Sequence, residues 1–176
     1  TGLAGGSFSA VPGGLSISSG SGAIDVSAST PGSYTITYTT TGTCPSSSNV
    51  AVTINGLDDA SFSYSAASYC VSDADPTPTI TGLTGGSFSS TAGLSIVGGT
   101  GAIDVSASTP GTHTVTYTTA GSCPNSSNVV VTINGLDDPS FSYSAASYCV
   151  NAADPTPTIT GLAGGSFSAV PGGLSI

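Results

Sequence analysis

The chain has no lysine and no arginine, and its one histidine is His113. Glutamate, glutamine, methionine and tryptophan are also missing. The absent cations exclude whole classes of partner. Nucleic-acid backbones are gripped by Lys and Arg, so a DNA- or RNA-binding role is excluded. All nine acidic residues are aspartate and the net charge is −9, so anionic membrane surfaces repel the chain. Without Glu, Gln, Lys, Arg and Met few strong helix formers remain, which predicts an all-β fold. No apolar run approaches the roughly 18 residues of a membrane span, so no membrane insertion is expected. A lysine-free chain cannot form Lys–Asn isopeptide crosslinks, and trypsin-like proteases find no site in it.

Small polar residues dominate what is present. Ser and Thr supply 58 of the 176 residues, Gly 25 and Pro 11. Such a composition suits disorder, but Val, Ile, Leu, Phe and Tyr recur here at ordered spacings, which argues for packed structure. The ordering is a repeat. Residues 1–17 read TGLAGGSFSAVPGGLSI, and residues 160–176 read the same letter for letter. VTINGLDD ends at Asp59 and again at Asp138, and SFSYSAASYC ends at Cys70 and again at Cys149. The period is 79 residues, with one extra residue near Pro12-Gly13-Gly14 in the first copy. The expected organisation is a window on a longer tandem array. Residues 60–138 form one complete unit, 1–59 form a unit without its start, and 139–176 form a unit without its end.

Each unit reads as an immunoglobulin-like β-sandwich. In the stretch 113–118, His113, Val115 and Tyr117 alternate with Thr114, Thr116 and Thr118. The first copy places Tyr34, Ile36 and Tyr38 against Thr35, Thr37 and Thr39. Val50, Val52 and Ile54 mark the inward face of the next strand, as do Val129, Val131 and Ile133. This period-2 pattern is that of half-buried strands. Shorter strands are expected around residues 62–64, 79–81, 88, 94–96 and 102–105. Pro31-Gly32, Pro110-Gly111, Asn55-Gly56 and Asn134-Gly135 supply the turns. About seven strands per unit, with turns every 8–12 residues, is the sandwich signature. The expected core is Phe62, Tyr64, Ile80, Phe88, Leu94, Ile103, Val115, Tyr117, Val129, Val131 and Ile133.

A unit this small gains from a staple. Its four cysteines are Cys44, Cys70, Cys123 and Cys149, and an even count in such a chain suggests disulfides and an oxidising, extracellular setting. Sequence cannot choose among the three pairings. Cys70–Cys123 is favoured because both lie in the complete unit, leaving Cys44 and Cys149 to pair outside the window. It requires Ser65–Asp75 to loop back rather than run straight. No Cys-x-x-Cys or Cys–His spacing suits zinc.

The candidate metal site is calcium. Asp58, Asp59, Asp137 and Asp138 fall at unit boundaries, and Asp73 and Asp75 follow soon after the first pair. Carboxylate and carbonyl oxygens are what Ca²⁺ takes. Against it, Asp73 becomes Ala152 in the next copy and no Glu supplies a bidentate ligand. The bland alternative is solvated turn aspartates, with Asp75 and Asp154 capping turns before proline. No other cofactor is expected. Nor is catalysis, because general acid–base work needs a tunable pair and His113 alternates with Tyr34 between copies. The Thr-rich outer faces suit glycan binding or, more simply, a polar uncharged coat.

The ordered set SFSYSAASYC, DPTPTIT (75–81), GLSI, TGAIDVSASTPGTHTVTYTT (100–119) and SCPNSSNVVVTI (122–133) resembles the repeats of giant Bacteroidetes surface adhesins, above all the SprB-type gliding-motility adhesins. The resemblance covers the whole chain. It implies a bacterial cell-surface filament exported by type IX secretion, extracellular and built of immunoglobulin-like repeats. The implied partners are neighbouring repeats, laterally associated copies, and external surfaces or polysaccharides. The alternative is a carbohydrate- or calcium-dependent binding module.

Overall fold

The computed structural model describes residues 5–170. All regular structure among them is β, so the all-β immunoglobulin-like tandem fold stands. Fifteen strands follow in chain order. The first repeat supplies β1 (Ser7–Val11), β2 (Ser16–Ile17), β3 (Ile24–Asp25), β4 (Gly32–Thr39) and β5 (Ser47–Ile54). The middle repeat supplies β6 (Phe62–Ser63), β7 (Ser68–Cys70), β8 (Thr79–Ile80), β9 (Ser87–Ser90), β10 (Ser95–Ile96), β11 (Ile103–Asp104), β12 (Gly111–Thr118) and β13 (Ser126–Asn134). The last stretch supplies β14 (Phe141–Ser142) and β15 (Thr158–Ile159).

The middle repeat is built around the β12–β13 hairpin, registered from Gly111 opposite Ile133 to Thr118 opposite Ser126. β9 adds antiparallel to β12, and β7 adds parallel to β13, giving the sheet order β7-β13-β12-β9. Two short ribbons, β6–β8 and β10–β11, complete the unit. The strand alternation sets the faces. His113, Val115 and Tyr117 are buried, while the threonines between them lie on the outer side. That outer face pairs with itself: Thr116 donates to Asn128 Oδ1 at 2.8 Å, and Thr112 and Thr132 share a hydroxyl bond.

Of the expected core, Phe62, Phe88, Leu94, Ile103, Val115, Tyr117, Val131 and Ile133 are buried. Tyr64, Ile80 and Val129 are half-buried against them. Ala60, Tyr69 and Val105 join the core as well, and nothing in the pattern marked them. Phe62 on β6 stands edge-on to Phe88 (5.4 Å) and Tyr117 (5.8 Å), tying that ribbon to the sheet. Phe88 lies against Gly101, where φ is +73° and a Cβ would come within 3.0 Å of the ring. The repeated Gly-Ala-Ile-Asp motif needs glycine for that reason.

The Cys70–Cys123 disulfide is not formed. Because β7 runs parallel to β13, Cys70 lies opposite Asn134, whereas Cys123 precedes Ser126 at the other end of that strand. Eight residue steps of roughly 3.4 Å put those ends about 27 Å apart. A disulfide tolerates only about 7 Å between Cα atoms. No disulfide joins any two of the four cysteines within this chain. The stretch 65–75 therefore does not return to Cys123; it adds a strand at the far end.

Candidate functional site

The residues that the sequence singled out as calcium ligands meet the structure most closely at the boundary between repeats. Asn55-Gly56-Leu57-Asp58-Asp59 leaves β5 and runs across one pole of the middle repeat. There the β12–β13 hairpin loop receives it. The Asp58 amide donates to Cys123 O at 2.9 Å, and Asn125 Nδ2 donates to Asp58 O at 3.0 Å. Thr119 Oγ1 donates to Asp58 Oδ2 at 3.0 Å and accepts from the Asn125 amide at 2.9 Å. Leu83 donates to Asp59 O at 2.7 Å, and the Ser127 hydroxyl caps the carbonyl of buried Ala60. The boundary peptide is thus held on both sides. Gly82 and Gly121 pack so closely on Asp59 O and the Asp58 carboxylate that a Cβ at either would collide.

Every other candidate aspartate except Asp137 has a local partner of its own. Asp59 Oδ1 accepts from the Ser61 amide and hydroxyl, and these bonds hold its carboxyl below the usual carboxylate range. Asp138 does the same with Ser140, with the same downward shift. Asp73 Oδ2 accepts from the Cys70 amide at 2.7 Å. Asp75 reaches furthest, accepting the Val105 amide at 3.0 Å across 30 residues. Beside it Pro76 O accepts the Ile103 amide at 3.0 Å. The Asp-Pro-Thr-Pro segment thereby lies along β11 and shields Val105. Among the described residues no three His, Cys, Asp or Glu side chains come together as a metal cluster. Asp58, Asp59, Asp73, Asp75 and Asp138 thus accept separate bonds at separate places.

Asp25 and Asp104 cap the turn that follows the Gly-Ala-Ile-Asp motif. Ser27 and Ala28 hold Asp25 below the usual range, as Ala107 and Ser106 hold Asp104. His113 is buried, its Nε2 2.9 Å from Thr109 O. A carbonyl only accepts, so Nε2 carries the proton. Tyr34 donates to Thr30 O, the matching carbonyl of the first repeat, at 2.6 Å. The His/Tyr exchange preserves one structural hydrogen bond. Tyr64 donates to Gly101 O at 2.6 Å, and burial, with Tyr69 beside it, pushes its phenol up to about 12.

Thr119, Asn125, Ser127 and Leu83 were not anticipated as junction residues. The only signal was the strict retention of Gly-Leu-Asp-Asp at 56–59 and 135–138.

No protein-family model and no curated protein matches the chain. Among solved structures it is similar to mouse cadherin-23 EC22-24, at 17% identity and TM-score 0.34, over 82% of this chain and 59% of that one. It is similar to protocadherin gamma B2 extracellular cadherin domains 3-6, at 15% identity and TM-score 0.35, over 89% and 51%. A third likeness is to the protocadherin gammaB7 EC3-6 cis-dimer structure, at 16% identity and TM-score 0.35, over 83% and 44%. This chain thus spans about three fifths or less of those structures. Superpositions this loose carry nothing about ligand or partner to this chain.

Proposed function

We propose that the chain is a non-catalytic structural and adhesive segment of a long extracellular filament, in which tandem sandwiches provide length and stiffness. On this reading the filament is a bacterial cell-surface adhesin of the gliding-motility kind, exported by type IX secretion. The observation that carries the mechanical part is the stitched boundary. A linker whose Asp58 amide, carbonyl and carboxylate are all bonded to the next repeat transmits force between repeats instead of pivoting freely. Quasi-one-dimensional arrays derive their mechanics from such nearest-neighbour contacts. The polar, self-paired threonine face and a charge of −9 with no cation favour extension over collapse. Exposure outside the cell also fits the absence of any trypsin site.

Two experiments test the two parts. Pulling a chain of these repeats by force microscopy should give a regular sawtooth. Each unfolding event should release roughly 25 nm, the length of 79 residues at about 3.5 Å each less the folded span. Irregular or featureless extension would remove the stalk. For the cellular part, antibody against the repeats should label intact gliding cells and lose its target in a type IX secretion mutant. Unchanged labelling in that mutant would remove the export route.

A further inference from the structure

Force along the array meets the middle repeat at its two poles. It enters at the boundary peptide, where Asp58 is tied to the hairpin loop at Cys123 and Asn125, and it leaves after Asn134 at the far end of β13. The segment that follows the entry runs beside β13 in the same direction. The Ser127 hydroxyl holds Ala60 O, and the Thr132 amide donates to Ala67 O at 2.9 Å. β7 pairs in parallel with Thr132–Asn134, and the Val71 amide donates to Asn134 O at 2.9 Å. Tension draws residue 60 toward one pole and Asn134 toward the other, so these two strands are driven to slide past each other. Bonds between neighbouring strands run across the strands and not along them, so they take this load together. The opposite flank is arranged alike. β6 pairs with β8, the Thr81 and Gly82 amides both donate to Ser61 O at 3.0 Å, and the Leu83 amide donates to Asp59 O at 2.7 Å.

We propose that residues 60–71 and β13 form a shear clamp that sets the force at which each repeat breaks. The inference rests on the filament reading above, because a repeat is loaded through both poles only within a chain of repeats. Two features lock the clamp. Tyr69 stands opposite Ile133 and both are buried, so a slip of one residue would turn Tyr69 outward and carry Cys70 into the core. Phe62 stands edge-on to Phe88 and Tyr117, so the segment cannot advance without dragging a ring through the core. The long hairpin is loaded differently. Gly111 lies opposite Ile133, so both open ends of β12–β13 are at the same pole. Once the clamp yields, tension opens that hairpin pair by pair from its ends, at lower force. The clamp is therefore the stronger element, although the hairpin register pairs Gly111–Thr118 along its whole length and β7 pairs only Ser68–Cys70.

Force microscopy on the 176-residue chain, pulled in two directions, tests this. Held by its two ends, the middle repeat should break in one event that releases roughly 23 nm, residues 60–134 at about 3.5 Å each less the folded span. In the second geometry the chain is held by its C-terminus and a thiol handle at Ala107→Cys, with the four native cysteines changed to serine. The β12–β13 hairpin should then peel at a several-fold lower force. Val71→Pro deletes the amide that bonds Asn134 and should roughly halve the end-to-end force. Leu94→Ala, a core truncation outside both strands of the clamp, should lower the urea midpoint yet leave that force nearly unchanged, because forced unfolding reads the barrier and not the equilibrium stability. Equal forces in the two directions would overturn the proposal, as would force losses in the two variants that simply follow their urea midpoints. The directional comparison holds even where Val71→Pro fails to fold, since Ala107 is exposed. Each result is read on a single repeat, so the tests of the array and of its export succeed or fail separately.

Discussion

Residues 5–59 and residues 85–138 are near-copies in sequence, and residues 60–81 cover the second set. Both fold the long hairpin, β4–β5 in one and β12–β13 in the other, with the same eight-residue register from the turn glycine outward. Both add the same third strand and the same small ribbon. What differs is the cover. Val105 is fully buried and Val26 is 62% exposed. Strand pairing is therefore encoded within the hairpin itself. The core is completed by the 60–81 segment that precedes it in sequence and arrives from outside the hairpin. The last stretch shows the converse. Ser147–Cys149 repeats Ser68–Cys70 letter for letter but forms no strand. In the middle repeat the 60–81 segment and the hairpin share one core.

The comparison is broken most severely at Phe62. Phe62→Ala removes a ring packed on Phe88 and Tyr117 and should cost about 3–5 kcal/mol. The matching Phe141→Ala, at a half-exposed ring, should cost under about 1 kcal/mol. Urea melts of the two variants against the parent measure both. Equal losses would mean that the cover does not close the core. Next comes Asp75→Ala, which strands the buried Val105 amide and should cost about 1–3 kcal/mol. Asp154→Ala should leave the same melts unchanged.

How much of this was readable in the sequence follows from which interactions are local. The strands β12 and β13 were legible because Thr and apolar residues alternate over a full strand length, and the structural role of His113 because Tyr34 replaces it. The parallel strand β7 was not, since its partners lie about 64 residues ahead in a segment with no matching periodicity. That one omission is also why Cys70 was paired with Cys123. Val105 went unrecognised because its burial is produced by Asp75 and Pro76, not by its own neighbours. Asp58 and Asp59 read from the sequence as boundary residues, but paired carboxylates look alike whether they bind an ion or accept Thr and Ser donors. Only the positions of Thr119 and Asn125, more than 60 residues away, distinguish the two.

A smaller effect sharpens the comparison at the junction. Thr119→Val breaks the bond to Asp58 together with the hairpin bond to Asn125, and should lower stability by about 1 kcal/mol. It should also lower the force needed to separate the repeats. Thr40, its counterpart, holds only its own hairpin at Ser46, so Thr40→Val should leave that force unchanged.

The smallest effects are those of pH, and the two ends of the scale report on different parts of the unit. The Tyr64 phenol is raised from 10.0 to about 12 by burial beneath Gly101, so the folded state prefers it protonated. Its contribution is complete below pH 10 and is lost as pH climbs from 10 to 12. Tyr64→Phe should abolish that alkaline limb of the stability curve while shifting the neutral plateau by about 1 kcal/mol, the worth of one hydrogen bond. On the acid side, Asp25, Asp59, Asp104 and Asp138 are all lowered by Ser and backbone donors, so the folded state prefers them ionised. Their contribution is present above the ordinary carboxylate range and fades as pH falls below about 4. Because these caps are exposed and present in every repeat, the acid limb should be shallow and should survive Tyr64→Phe. Millimolar calcium should leave it in place, since each of the four carboxylates is already satisfied by its own chain. A calcium-dependent shift of that limb would instead assign the boundary aspartates to a metal, and the Asp58→Asn variant would show whether the ion sits at the stitched junction.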